Sequence, residues 1–494
     1  MKLRINYRGA LLIFNPIIFI LLLFAAHEAQ ALSYIVTNTN NSGGGSLRQA
    51  MLNAEATSAA DTIEFDIPGG GGHTITPLTS LPIMGASVTI DGYTQPGYAG
   101  IPLIEINAVN VVNGLHYQHP DSGTRTFIVR GLIINRASGS GLLISSPGTL
   151  ENLSTTITGC FIGTNSLGTT DLGNGGNGIE INARNAIVGG TGFGDRNVIS
   201  GNGGNGISYK NETGGSSDGI DIYSNLIGTN AAGTADLGNS LDGIYIGTGQ
   251  PFIGGTSSGG VSRGNIISGN GGNGIHLNAN TQVATIQRNL IGTNAAGTGD
   301  LGNTLDGILI EGSNNHLIGS STNSSNGNTI SGNGENGILL SLGVDAVQIF
   351  GNRIGSNSAG TGNLGNDGNG ILIFNSANTE IGLAGNNTAR NIIVRNDLNG
   401  IFLNGLDSDD NVIQNNFIGT IPAGTALGNF GDGILITGGG SNTIGGTTAN
   451  AGNTIGLNIG NGVNISSSFS SGNLIRQMRC MQMMVSASIS AQSA

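Results

Sequence analysis

The residues best equipped for chemistry are carboxylates and histidines, and they fall into three groups. Asp171, Asp236 and Asp300 recur at one place in a repeated stretch, with Asn363 and Ala426 in the later copies. A carboxylate there could act as a general acid or base, but a residue that recurs with a repeat is first a loop feature. Asp407, Asp409 and Asp410 form a non-repeated acidic cluster that could ligate Ca²⁺ through oxygen; the plainer alternative is an exposed, solvated loop. His116 and His119 flank Tyr117 and Gln118 in what is expected to be a non-repeated loop, as a metal pair or as surface histidines. No stretch has the G-x-x-x-x-G-K-S/T phosphate loop. The sequence thus assigns no catalytic and no cofactor-binding residue. The metal ligands stay unknown, and Ca²⁺ is the one cofactor the acidic cluster would suit.

What must position these groups is a repeat. Asn289-Leu290-Ile291-Gly292-Thr293-Asn294 and Asn328-Thr329-Ile330-Ser331-Gly332-Asn333 both read N-x-I-x-x-N. The pattern returns along most of the chain, with its leading position at Cys160 in the first copy and then at Asn197, Asn225, Asn265 and onward to Asn453. A second marker, Asn/Asp-Gly-Ile, follows each copy. Its glycines include Gly243, Gly274, Gly307, Gly337, Gly370, Gly400 and Gly433, roughly 30 residues apart, with long and short units alternating. One further match, Asp218-Gly219-Ile220, falls off the register.

Each unit holds three short apolar runs, such as Ile308-Leu309-Ile310, His316-Leu317-Ile318 and Thr329-Ile330, bounded by Gly, Asn and Ser. Three strands and their turns per unit suit one coil of a parallel β-helix, right-handed by the general rule for parallel crossovers. A single coil cannot bury its apolar face, but stacked coils bury continuous ladders of Ile and Leu. Asn and Gly tolerate the left-handed backbone expected at sharp corners, and stacked Asn amides can bond along the rod. The residue before each marker glycine reads Asn177, Asn205, Asp242, Asn273, Asp306, Asn336, Asn369, Asn399, Asp432, Asn461. No two Asp are neighbours, as expected if adjacent carboxylates would face each other ~4.8 Å apart.

Composition agrees. The 494 residues include 89 Gly and no Trp, and only 9% are charged, while 37% are hydrophobic. That excludes an ordinary helical enzyme and is too apolar for plain disorder. The net charge of −12 argues against nucleic acid and anionic lipid as partners. Of two cysteines, Cys160 and Cys480, the first sits at a ladder corner and is expected as a buried free thiol.

Residues 1–31 resemble a secretory signal: Lys2, Arg4 and Arg8, an apolar run from Ala10 to Ala26, then Ala29-Gln30-Ala31. Cleavage would leave Lys210 as the only lysine and no membrane span. Residues 32–140 form the N-terminal cap and first irregular coils. Strands are expected at Tyr34 to Asn38, Asp61 to Phe65 and Val88 to Ile90. Ser46 is expected to cap a short helix with Leu47, Ala50, Met51 and Ala54 on one face. Regular coils occupy 141–477. Beyond them, Met478 stands where the motif requires Asn. Reading those codons one nucleotide earlier restores Asn and an Asp-Gly corner, so 478–494 is expected to be a frameshifted, disordered tail outside the rod.

Ser46-Leu47-Arg48-Gln49-Ala50, the turn Ile90-Asp91-Gly92-Tyr93-Thr94-Gln95-Pro96-Gly97, and Ile227-Gly228-Thr229-Asn230 through Asp236-Leu237-Gly238-Asn239 carry a resemblance. The chain from about 34 to 477 resembles bacterial secreted right-handed parallel β-helix repeat proteins with a CSLREA-type N-terminal region. Gly45 and Gln49 depart from that signature. The resemblance implies an all-β, single-stranded parallel β-helix of pectin lyase-like architecture with a short N-terminal capping helix. It also implies a secreted or cell-surface structural or binding protein whose partners are polysaccharides or cell-surface components. The alternative is a polysaccharide-active lyase, hydrolase or epimerase. Polysaccharide lyases of this fold use clustered carboxylates for Ca²⁺ and a basic residue as proton acceptor. That would require Asp407, Asp409 and Asp410 to converge in one groove with an arginine such as Arg353 or Arg395.

Overall fold

The structure, a computed structural model, describes residues 30–480 except 121–122, 147–151, 193, 211–218, 256–262 and 426. The proposed signal segment and residues 481–494 therefore lie outside the described residues, apart from Gln30 and Ala31.

The chain winds into an all-β parallel solenoid of about 14 turns, built from three parallel sheets of 15, 14 and 12 strands. These are called sheets A, B and C here. From Leu115–Gln118 onward each coil contributes one strand to C, then A, then B, and the coils before it contribute none to C. One coil runs Ile308–Glu311, Leu317–Gly319, Thr329–Ile330; the next runs Ile338–Ser341, Gln348–Phe350, Arg353–Ile354. The interior side chains stack on like side chains: Ile308 on Ile338, Ile310 on Leu340, Ile318 on Ile349, Ile330 on Ile354. All of these are fully buried in one continuous core. β-branched residues at the inward positions fit the pleat and lose little freedom there.

One helix, α1 (Leu47–Glu55), accompanies the first coils. Ser46 Oγ accepts the Gln49 N–H at 3.2 Å, and Leu47, Ala50, Met51 and Ala54 are buried against the first sheet A strands. Strands at Ser33–Val36, Asp61–Phe65 and Val88–Asp91 match the expected ones. Gly219-Ile220 opens a strand of sheet A, which is why that match fell off the marker register. At the other end, Arg479–Cys480, inside the segment expected to leave the rod, still forms a sheet B strand. It pairs with Thr454 and Ile455.

Two internal Asn ladders hold the corners of sheet B. In the first, the side-chain Nδ2 of Asn197, Asn225, Asn265, Asn289, Asn328, Asn352, Asn391 and Asn416 each donates to Oδ1 of the next Asn, at 2.9–3.2 Å. Cys160 begins this column, buried, with its N–H bonded to Asn197 Oδ1 and its thiol pushed up to about 12 by burial. In the second, short coils use the last Asn of N-x-I-x-x-N, such as Asn270, whereas long coils use a later one, such as Asn303. In long coils the motif's own last Asn turns outward. Asn294 Oδ1 instead accepts the Thr298 N–H and shapes an inserted loop.

The conformational reason first expected for these residues is corrected. No ladder Asn has positive φ; the residue before it does in several coils, as at Ser224, Arg288 and Asn415. The marker glycines have ordinary φ as well. A Cβ on Gly307 would lie 2.6 Å from Ile330 Cγ2 and 2.7 Å from the Gly337 carbonyl. They are glycines for want of space, not for a left-handed turn.

Candidate functional site

The three groups named from sequence do not assemble. Asp171, Asp236 and Asp300 close the inserted loops: each bridges back to Thr164, Thr229 or Thr293. Asp171 and Asp300 accept the N–H two residues on, at 2.8 and 2.9 Å. Asp407, Asp409 and Asp410 lie in the turn from sheet C to sheet A. There Asp409 Oδ1 accepts the Gly440 N–H, and Asp410 donates its N–H to the Gly440 carbonyl. Arg353 is in a sheet B strand and Arg395 just beyond one, so the required convergence does not occur. His116 is not in a loop, whereas His119 lies in the connection that follows its strand. His116 points out from strand Leu115–Gln118 towards Ser145 Oγ (3.2 Å), while His119 is buried and contacts the Gly123 carbonyl. Among the described residues no three His, Cys, Asp or Glu side chains form a group that could hold a metal ion.

What the coils do assemble lies on the outer face of sheet C. The residue between the two inward apolar positions of each strand points outward, so a column forms along the rod. It reads Glu180, Ser208, Tyr245, His276, Leu309, Leu339, Leu372, Phe402, Leu435. At its centre His276 is held on both nitrogens. Nδ1 is 3.1 Å from Asp242 Oδ2 and Nε2 is 3.1 Å from Glu311 Oε2. The Tyr245 ring meets the imidazole edge-on at 5.1 Å, and the Lys210 ammonium lies 5.4 Å above the Tyr245 ring. Four consecutive coils thus contribute Lys210, Tyr245 with Asp242, His276, and Glu311.

The electrostatics follow from this arrangement. Burial alone would lower the His276 pKa, but the hydrogen bonds and charges of Asp242 and Glu311 outweigh it, and the pKa is raised. Burial raises the Tyr245 phenol further from ionisation. Asp306, beneath the face, is pushed up to about 6, chiefly by burial. When protonated, the imidazole spends both N–H groups on carboxylates. It is a poor general base in that state. The sequence signal for this site was the variable residue inside Gly-Ile-x-Ile, read as a column across coils.

Sheet B offers no comparable face in these coils. Its outward residues Phe161, Val198, Leu226 and Ile266 are buried in an apolar cluster, with Ala231 of an inserted loop packed on it. Three parallel sheets of stacked coils define a parallel β-helix protein. No family model and no curated protein matches the chain. Among solved structures it is similar to the A-module of the mannuronan C-5 epimerase AlgE6 of Azotobacter vinelandii, at 13% identity and a TM-score of 0.41, covering 91% of this chain and 99% of that one. It is also similar to the periplasmic alginate epimerase AlgG (11%, TM-score 0.37, 85% and 78% covered) and to the Dettilon tailspike protein (14%, TM-score 0.28, 90% and 68% covered). At these values the likeness concerns the β-helix fold and carries nothing about activity. Among the described residues no helix is long and apolar enough to cross a membrane.

Proposed function

We propose that the chain is an exported glycan-binding β-helix protein that holds a linear polysaccharide along the outer face of sheet C. The observation that supports this most is the Lys210–Tyr245–His276 column with its flanking Asp242 and Glu311. A polymer lying along the rod meets a new outward side chain every ~4.8 Å. Tyr245 offers a ring face to sugar C–H groups, and the carboxylates and Lys210 offer partners for hydroxyls. The half-buried stripe of Leu309, Leu339, Leu372, Phe402 and Leu435 continues the same line with apolar surface. Binding rather than turnover is favoured by His276, whose two nitrogens are both occupied.

The test is a screen of the mature chain against acidic and neutral polysaccharides, with and without Ca²⁺, for binding and for cleavage. Wild type should bind at least one polymer and leave its length unchanged. Tyr245→Ala should weaken that binding about tenfold at unchanged melting temperature. Equal binding by the variant, or shortening of the polymer, overturns the reading.

A further inference from the structure

On the outer face of sheet B, past the coils covered by apolar loops, the outward residues change character. Leu290 is followed in register by Thr329, Arg353, Ile392, Phe417, Thr454 and Arg479. A cleft of about 190 Å³ opens there, lined by Arg353, Asn387, Arg390, Ile392, Phe417 and Pro422 among others. None of its lining residues is acidic. In a chain of net charge −12, two arginines sharing one cleft without a carboxylate are unusual.

Neither arginine pairs with a carboxylate, and Arg390 is held in place by neutral groups. The Arg390 guanidinium lies 4.7 Å over the Phe417 ring. Its Nε donates to Asn415 Oδ1 at 3.0 Å, and its Nη2 donates to Asn387 Oδ1 at 2.7 Å and to Asn415 Oδ1. These partners are neutral amides, and Nη1 remains for a ligand. Arg479 adds like charge to Arg390. Arg353 Nε is buried and has no hydrogen-bond partner. Burial works against the charge of both arginines. An unpaired buried guanidinium donor costs free energy, and an anion arriving in the cleft would relieve it.

We infer that this cleft is a second binding site, distinct from the sheet C face, for a carboxylate-bearing monosaccharide unit such as a hexuronate. The carboxylate takes the guanidinium groups of Arg353 and Arg390. Ile392 and Pro422 supply apolar contact for the ring, and Asn387 and Thr388 supply polar contact for its hydroxyls. The volume is below the ~300–1,000 Å³ of drug-sized sites, which suits one sugar ring.

Calorimetric titration of the full chain with methyl glucuronide, methyl glucoside, glucose 6-sulfate and sodium acetate tests it. Methyl glucuronide should bind saturably at one site, and methyl glucoside should not bind. Acetate should bind at least tenfold more weakly than the glucuronide. Arg353→Gln with Arg390→Gln should lower glucuronide affinity at least tenfold. Arg390→Gln alone, at the more exposed position, should lower it several-fold at unchanged melting temperature. Tyr245→Ala should leave it unchanged, which separates this site from the sheet C face. Equal binding of the neutral glucoside, preference for the sulfate ester, acetate as tight as the glucuronide, or full affinity in Arg390→Gln overturns the assignment.

Discussion

Asn273 donates its side-chain amide to Asp242 Oδ1 at 2.9 Å, and its backbone N–H to the same oxygen at 2.7 Å. The same pairing repeats at Asn336 on Asp306 and Asn461 on Asp432. Each Asp in this column is bonded by an Asn of the next coil, and each Asn above it spends its amide on that carboxylate. Alternation is thus a hydrogen-bond requirement as much as a spacing of charges.

Asn273→Asp should therefore remove a donor and place a carboxylate between Asp242 and Asp306. The rod should lose roughly 2–4 kcal/mol at pH 7 and recover much of it at about pH 3, below the ordinary carboxylate range. Urea unfolding at the two pH values measures this. A loss that is the same at both would leave only the missing amide bond as the cause.

Asp306 has a folded pKa of about 6, above its ordinary value. The folded chain therefore holds this proton more tightly than the unfolded chain. The associated stability is present below about pH 4 and is lost as pH rises through about 6, on the order of 3 kcal/mol in all. Asp306→Asn should flatten that part of the stability–pH curve and raise stability at pH 7. An unchanged curve would place the ionisation elsewhere.

Ile330 stacks on Ile354 in sheet B and is fully buried. Ile330→Asp puts an unpaired charge in the ladder and should cost more than about 4 kcal/mol. Wild-type urea unfolding for this variant would mean that Ile330 is not in the core.

Gly307→Ala should destabilise without any demand on φ, because the added Cβ would overlap Ile330 and the Gly337 carbonyl. A drop in melting temperature that is reduced by Ile330→Leu, which lacks the Cγ2 methyl facing Gly307, would identify crowding as the cause. No response to the second substitution would argue for a backbone effect.

The inward ladders were legible because burial imposes one residue type on every coil. Ile330 and Ile354 could be aligned by eye, as could the helix face of Leu47, Ala50, Met51 and Ala54. The outward column was not, because solvent imposes no type: Ser208, Tyr245, His276 and Leu309 share a position and no chemistry. Conspicuous sequence clusters misled for the opposite reason. Asp407, Asp409 and Asp410 are adjacent in the chain yet bond into a turn, whereas Asp242, His276 and Glu311 meet only once the coils stack.

The inserted loops of long coils touch one another across the short coil between them. Ala231 donates its N–H to the Gly168 carbonyl, Ala295 to Gly233, and Ser358 to Gly297, each at 2.8 Å. The rod therefore has two periods, one coil for the core and two coils for this outer wall. Insertion or deletion of a single coil would keep every inward ladder in register yet set long against long or short against short. A length change that preserves both periods must come as a pair, so the two-coil unit is the smallest module by which this protein can be lengthened or shortened intact.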